Sequence, residues 1–168
     1  EFFDGENGTY IYSTFSQDQI GKIKGVSYDK ASNTLTLDNV KRDEKLITNV
    51  MGDDFKILLK GDNSLKSIIV WGDGYGGNLT ITGHGKLTLN SEKTENMAIT
   101  IQAEYTEGKV KIEKNVQMEM YAKEGYPIIE IVGANNSDKD KAVVIDGKVT
   151  QNYEVEQHIT EVTNNVYV

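Results

Sequence analysis

Cysteine is absent from the 168 residues, and proline, tryptophan and arginine each occur once. The first absence removes disulfides, thiolate nucleophiles and cysteine-based zinc or iron–sulfur sites together. It leaves the compartment open, because exported chains often lack disulfides. One proline beside 16 glycines points to many turns without proline-rich linkers. Positive charge is also scarce: 18 basic against 26 acidic residues give a net charge of −8. Phosphate backbones would be repelled, which argues against nucleic acid as a partner and against electrostatic docking on an anionic membrane. No apolar run approaches the roughly 20 residues of a transmembrane helix, so membrane insertion by a helix is not expected.

What is present is alternation. Leu35/Leu37, Ile57/Leu59, Leu79/Ile81, Val110/Ile112 and Ile129/Ile131 are apolar pairs spaced by two, in runs rich in Val, Ile, Leu and Thr. That is the strand signal, and no long segment carries a 3.6-residue period. The chain reads as all-β, and its length suits one domain.

The pairs recur. Leu35 to Ile57 and Ile57 to Leu79 are each 22 residues, as are Ile47 to Ile69 and Leu65 to Leu87. Three columns sharing one period fit a solenoid that returns to the same three faces. Beyond residue 90 the first column continues through Val110/Ile112 and Val143/Ile145, the second through Ile101 and Ile131, the third through Val116 and Val149. The extra length falls in "NSEKTEN", "AEYTEG" and "GANNSDKDK", which read as inserted loops. A rival threading places Ile99/Ile101 in the first column and strands Val110/Ile112. Asn39, Asn63, Gly85, Asn115 and Gly147 stand between the first and third columns, where residues that tolerate the left-handed region would turn the chain. In "NLTITGHGKLTLN", Leu79, Ile81, Leu87 and Leu89 then face inward, Thr80, Thr82 and Thr88 face out, and His84 rides the outer rim of a corner.

The expected architecture is a single-stranded right-handed parallel β-helix of about five coils. Right-handedness comes from the general preference of parallel crossovers. Residues 26–150 would form the coils, entered through a hairpin (Val26 and Tyr28 against Leu35 and Leu37). Residues 1–25 would cap one end, and 151–168 would cap the other or run along the flank. The chain begins Glu1-Phe2-Phe3 without a methionine, the expectation for a chain whose upstream segment was removed or belongs to a larger protein, and export is the preferred reading.

"YDKASNTLTLDNV", "FKILLKGDNSL" and "NLTITGHGKLTLN" resemble the right-handed parallel β-helix domains of secreted and cell-surface proteins of Gram-positive gut bacteria. The likeness is close over 26–90 and loose elsewhere, and it is one of repeat texture. It implies a fold and an extracellular or cell-surface location, and, because some such domains are carbohydrate-binding or adhesin-like, a glycan partner. It carries over no functional residue.

Candidate chemistry is sparse. A lyase needs clustered carboxylates for calcium and a base, yet Arg42 sits in "VKRDEK", which reads as an exposed loop. Asp38, Asp62 and Asp146 lie beside corners and could stack as a hydrolase pair, but solvated turn residues explain them more simply. His84 and His158 are far apart in sequence, and each reads as a surface histidine. Asp53-Asp54, Asp138/Asp140 and "DGENG" offer oxygens to calcium without the spacing of a calcium loop. The most suggestive stretch is "VWGDGYGGN": Trp71 and Tyr75 could stack a sugar ring while Asp73 fixes its orientation. The plainer reading packs Trp71 over a neighbouring coil and makes the glycines a corner. The expectation is therefore a non-catalytic, carbohydrate-binding or adhesive module that needs no cofactor, calcium excepted. A structural spacer is second, and a polysaccharide lyase or hydrolase third.

Overall fold

The computed structural model describes residues 2–3, 10–11, 23–49, 54–72, 77–103, 108–133, 142–151, 157–159 and 163–166. Every element among them is a strand, and most neighbours pair in parallel. A six-stranded sheet contains β3 (Val26–Asp29), β4 (Thr34–Asp38), β6 (Phe55–Lys60), β9 (Gly77–Gly83), β12 (Gly108–Ile112) and β15 (Val143–Ile145). A four-stranded sheet stacks β7 (Asp62–Leu65), β10 (Lys86–Leu89), β13 (Gln117–Met120) and β16 (Lys148–Gln151). An eight-stranded sheet is built on β5 (Lys45–Asn49), β8 (Ser67–Gly72), β11 (Ile99–Ala103) and β14 (Ile129–Gly133). At one edge of it lie β1 (Phe2–Phe3) and β2 (Tyr10–Ile11), at the other β18 (Thr163–Val166) and β17 (Gln157–Ile159), all antiparallel to their neighbours. From β6 to β16 the chain visits the six-, four- and eight-stranded sheets in strict rotation.

Alternation explains which side of each strand is buried. Ile57, Leu59, Ile81 and Ile112 from the first sheet, Leu87 and Leu89 from the second, and Ile68, Val70, Ile99 and Ile101 from the third are all at 0% exposure in one core cluster. Each such side chain contributes about 1.5–3 kcal/mol when buried. The first sheet's column ends at β15, where Ile145, across from Ile112, is 37% exposed. The expected entry hairpin is present: Val26 opposes Leu37 and Tyr28 opposes Leu35, with Asn33 at φ 49° closing the turn.

The register follows the sequence reading at some joints and departs from it at others. Leu35 lies across from Ile57, Ile47 from Ile69, Leu79 from Val110 and Val110 from Val143, as expected. The rival threading fails, because Ile99 and Ile101 belong to the eight-stranded sheet. Ile57, however, pairs with Ile81, and Leu65 with Leu89, so the second spacing is 24 rather than 22. Leu87 lies across from Asn63, and Val149 from Met118 rather than Val116. Ile69 pairs with Thr100, whereas Ile101 lies across from Val70. A one-residue difference exchanges the faces of a strand, and Ile47 and Ile69 are indeed outward and only half-buried.

The corners use two devices. Asn39 (φ 55°), Gly61 (φ 64°) and Gly83 (φ 105°) turn in the left-handed region. Asn63, Gly85, Asn115 and Gly147 do not. Gly85 is needed for closeness instead: a Cβ there would lie 2.8 Å from the Gly61 carbonyl oxygen. Asn63 is an interior residue, 1% exposed. Its Oδ1 accepts the Val40 N–H (2.9 Å), and its Nδ2 donates to the carbonyls of Lys60 (3.0 Å) and Lys86 (3.2 Å). One amide thus binds three successive passes of the chain. Replacing Asn63 with leucine strands a buried N–H and two carbonyls, and the expected loss is about 2–4 kcal/mol. Urea unfolding of the two proteins measures it, and equal midpoints would refute this role for the amide.

Candidate functional site

Trp71 stands near the end of β8. Because Ile68 and Val70 point into the core, Ile69 and Trp71 point out, and Trp71 is 43% exposed, the highest value among the large hydrophobics of the described residues. Parallel pairing sets Asn49 on one side of it and Gln102 on the other. Gln102 is exposed, so an amide able to both donate and accept lies one strand from the partly exposed indole. Asp73 and Tyr75, the other two residues expected here, lie outside the described residues.

The remaining candidates are dispersed. Asp38 lies across from Lys60, Asp62 from Lys86, and Asp146 follows β15, so no two of the three are register partners. Asp38 accepts from Asn39 Nδ2 (2.7 Å), and Asp62 lies 3.7 Å from Lys41 Nζ. His84 is exposed on its corner, and His158 is in β17. Arg42 is half-buried rather than loose, with Nη2 donating to Glu44 Oε1 (2.8 Å) and Nε to Oε2. Of the acidic pairs, Asp54 accepts from Asn78 Nδ2 (2.8 Å), while Asp53, Asp138, Asp140 and "DGENG" lie outside the described residues. Among the described residues no three His, Asp or Glu side chains gather as a metal site.

A second feature was not foreseen. Where the four-stranded sheet hands over to the eight-stranded one, segments 41–43, 64–66 and 90–94 line a groove of about 280 Å³. Its far wall is the start of the "NSEKTEN" insertion. Asn90, 2% exposed, holds that wall. Its Nδ2 donates to the carbonyls of Thr94 (3.1 Å), Asn96 (2.8 Å) and Tyr121 (3.0 Å), while Oδ1 accepts from Thr94 N (3.0 Å) and Oγ1 (2.7 Å). The sequence signal available was the inserted length and an asparagine at its first position, but nothing there tells a wall from a solvated loop. Beside the groove, the Lys45 ammonium has its pKa lowered, first by burial and then by the charge of Lys66. Ser67, across from Lys45, is 1% exposed, and its hydroxyl has no hydrogen-bond partner.

On the same outward face as Trp71, burial raises the pKa of the Glu130 carboxyl. A folded-state value above the unfolded one means stability that is present below pH 4.5 and lost as the pH rises through the folded pKa. Glu130→Gln should therefore raise the melting temperature at pH 7, with the gain disappearing as the pH falls to 4.5. Thermal melts across that range test it, and a pH-independent difference would contradict it.

Comparison of the chain with protein-family models, with curated proteins and with solved structures finds no match.

Proposed function

We propose that the three sheets are the faces of one right-handed parallel β-helix of about five coils, capped by residues 1–25 and 151–168. In this reading the chain is a non-catalytic carbohydrate-binding or adhesive module, displayed outside the cell as a domain of a surface protein. The strict rotation through three sheets supports the solenoid, since a chain returning to the same three ladders climbs about one axis.

The exposure of Trp71 carries the functional reading. A tryptophan in a purely structural role has no need to leave 43% of its surface exposed beside an amide. A sugar offers an apolar ring face for stacking and hydroxyls for the Gln102 amide. The row Asn49–Trp71–Gln102 has no charge, which fits a neutral sugar unit. Asp73 and Tyr75 follow closely in sequence and would extend the same platform, and any calcium would enter through acidic side chains in the loops. A structural spacer is the second reading, favoured by the ion pairs that tie outward side chains across strands, such as Lys86–Glu119 at 2.7 Å. An enzyme would need a carboxylate pair or a base within reach of the ring, and it is the third.

The test is a panel of neutral polysaccharides in affinity electrophoresis, with the intact chain, Trp71→Ala and Trp71→Phe. Loss of the stacking surface should weaken binding about tenfold, a difference of about 1.4 kcal/mol, with phenylalanine retaining part of it. Retardation by a polysaccharide that is unchanged in Trp71→Ala would remove this site, and no retardation by any of them would favour the spacer.

A further inference from the structure

We propose that the Trp71 platform extends to Glu130, whose carboxylate takes the ammonium of an amino sugar in the unit next to the one stacked on the indole. The inference rests on the glycan reading of Trp71 and narrows it, from sugars at large to glycans that carry free amines.

The ladder places the two residues on one face. Trp71 pairs with Gln102 and Gln102 with Val132, and Glu130 lies two residues before Val132. Ile129 and Ile131 are fully buried, so Glu130 points outward as Trp71 does. Two strands and two residues separate them, about 12 Å between backbones. One pyranose ring does not cover that span, and two linked rings do. Gln102, across from Trp71 and diagonal to Glu130, lies along the line between them.

Glu130 lacks a counter-charge. Thr100 and Asn165 lie across from it, Ile128 and Val132 two residues either way along the chain, and Gln102 and Thr163 on the diagonals. None of the six is charged, and the carboxylate has no hydrogen bond or ion pair among the described residues. The residue is half-buried, which leaves the acid short of water yet open to a ligand. Its raised pKa has the same origin, since burial acts on the charge and no partner among the described residues offsets it. Sugar hydroxyls would donate hydrogen bonds and leave that negative charge in place. An ammonium supplies donors and the opposite charge together, and the attraction grows as the sugar ring excludes water. The net charge of −8 favours the approach of a cationic glycan over an acidic one. A calcium ion asks for about six or more oxygens, whereas this patch offers a single carboxylate among neutral neighbours.

The experiment is a calorimetric titration at neutral pH with β-1,4-linked tetramers of glucosamine, of N-acetylglucosamine and of glucose. The glucosamine tetramer should bind about tenfold more tightly than either neutral one. Glu130→Gln should erase that preference and leave the neutral tetramers unaffected. This variant is expected to melt higher than the native chain at neutral pH, so lost binding in it is not lost folding. Glu124→Gln, which removes one unit of charge from an exposed turn, should keep the preference. Trp71→Ala should weaken all three tetramers. Equal binding of the three, each weakened in Trp71→Ala, would overturn the proposal and leave the stacking site standing. A preference that persists in Glu130→Gln, or falls as far in Glu124→Gln, would overturn it as long-range attraction between opposite charges only. Binding of none of the tetramers would overturn it too, whereas binding unaltered in Trp71→Ala would overturn the indole platform as well.

Discussion

Everything described depends on the parallel backbone ladder, which lets each strand find its level only by pairing with the strand of the previous pass. Pairing fixes register, and register decides which side chains face the core. Column after column of Ile, Leu and Val is then aligned, as in Ile57–Ile81–Ile112, and the core is a consequence of the ladder as much as its cause. Trp71, the groove and the buried asparagines are all placed by this rule. Each stands where it does because a specific residue on a neighbouring pass stands beside it.

Alternation made the strands legible, and in the column from Leu35 to Val143 the first and last spacings could be read correctly because both partners were apolar. The second spacing could not. It puts Gly83 across from Leu59 and Asn63 across from Leu87, so a reading that matches apolar with apolar slides by two residues to avoid both. The glycine is there because its backbone turns, and the asparagine because a buried amide can bind three passes at once. Neither reason is visible in hydrophobicity. Ile47 and Ile69 misled in the opposite sense: each has an apolar neighbour of the other parity, Leu46 and Ile68, and period two cannot choose between two adjacent apolar residues.

The candidate sites divide in the same way. Whether Trp71 is packed or open depends on the parity of β8, and Ile68 and Val70 decide it. The groove was beyond sequence reading, since its three segments are more than 20 residues apart and meet only through the ladder. Pairing across strands also sorts the surface charge. Lys86 has its pKa raised chiefly by its hydrogen bond to Glu119, a residue 33 positions away in the chain and one strand away in space. Lys45 and Lys66 are brought near each other by the same geometry without such a partner among the described residues, so one lattice yields both stitched and unstitched surface.

The lengthening of the pass from 24 to 31 residues at Asn90 has a meaning beyond the groove it walls. Pairing between neighbouring strands sets their order, whereas the length of a connecting segment enters only through the entropy of bringing its ends together. By the logarithmic law, going from 24 to 31 residues costs roughly 0.2 kcal/mol of chain entropy, less than one ordinary hydrogen bond. Corners are therefore the inexpensive axis along which such a chain can vary. Insertions there leave the ladder untouched while changing the relief of the surface, and a single buried asparagine is enough to set the new relief in place.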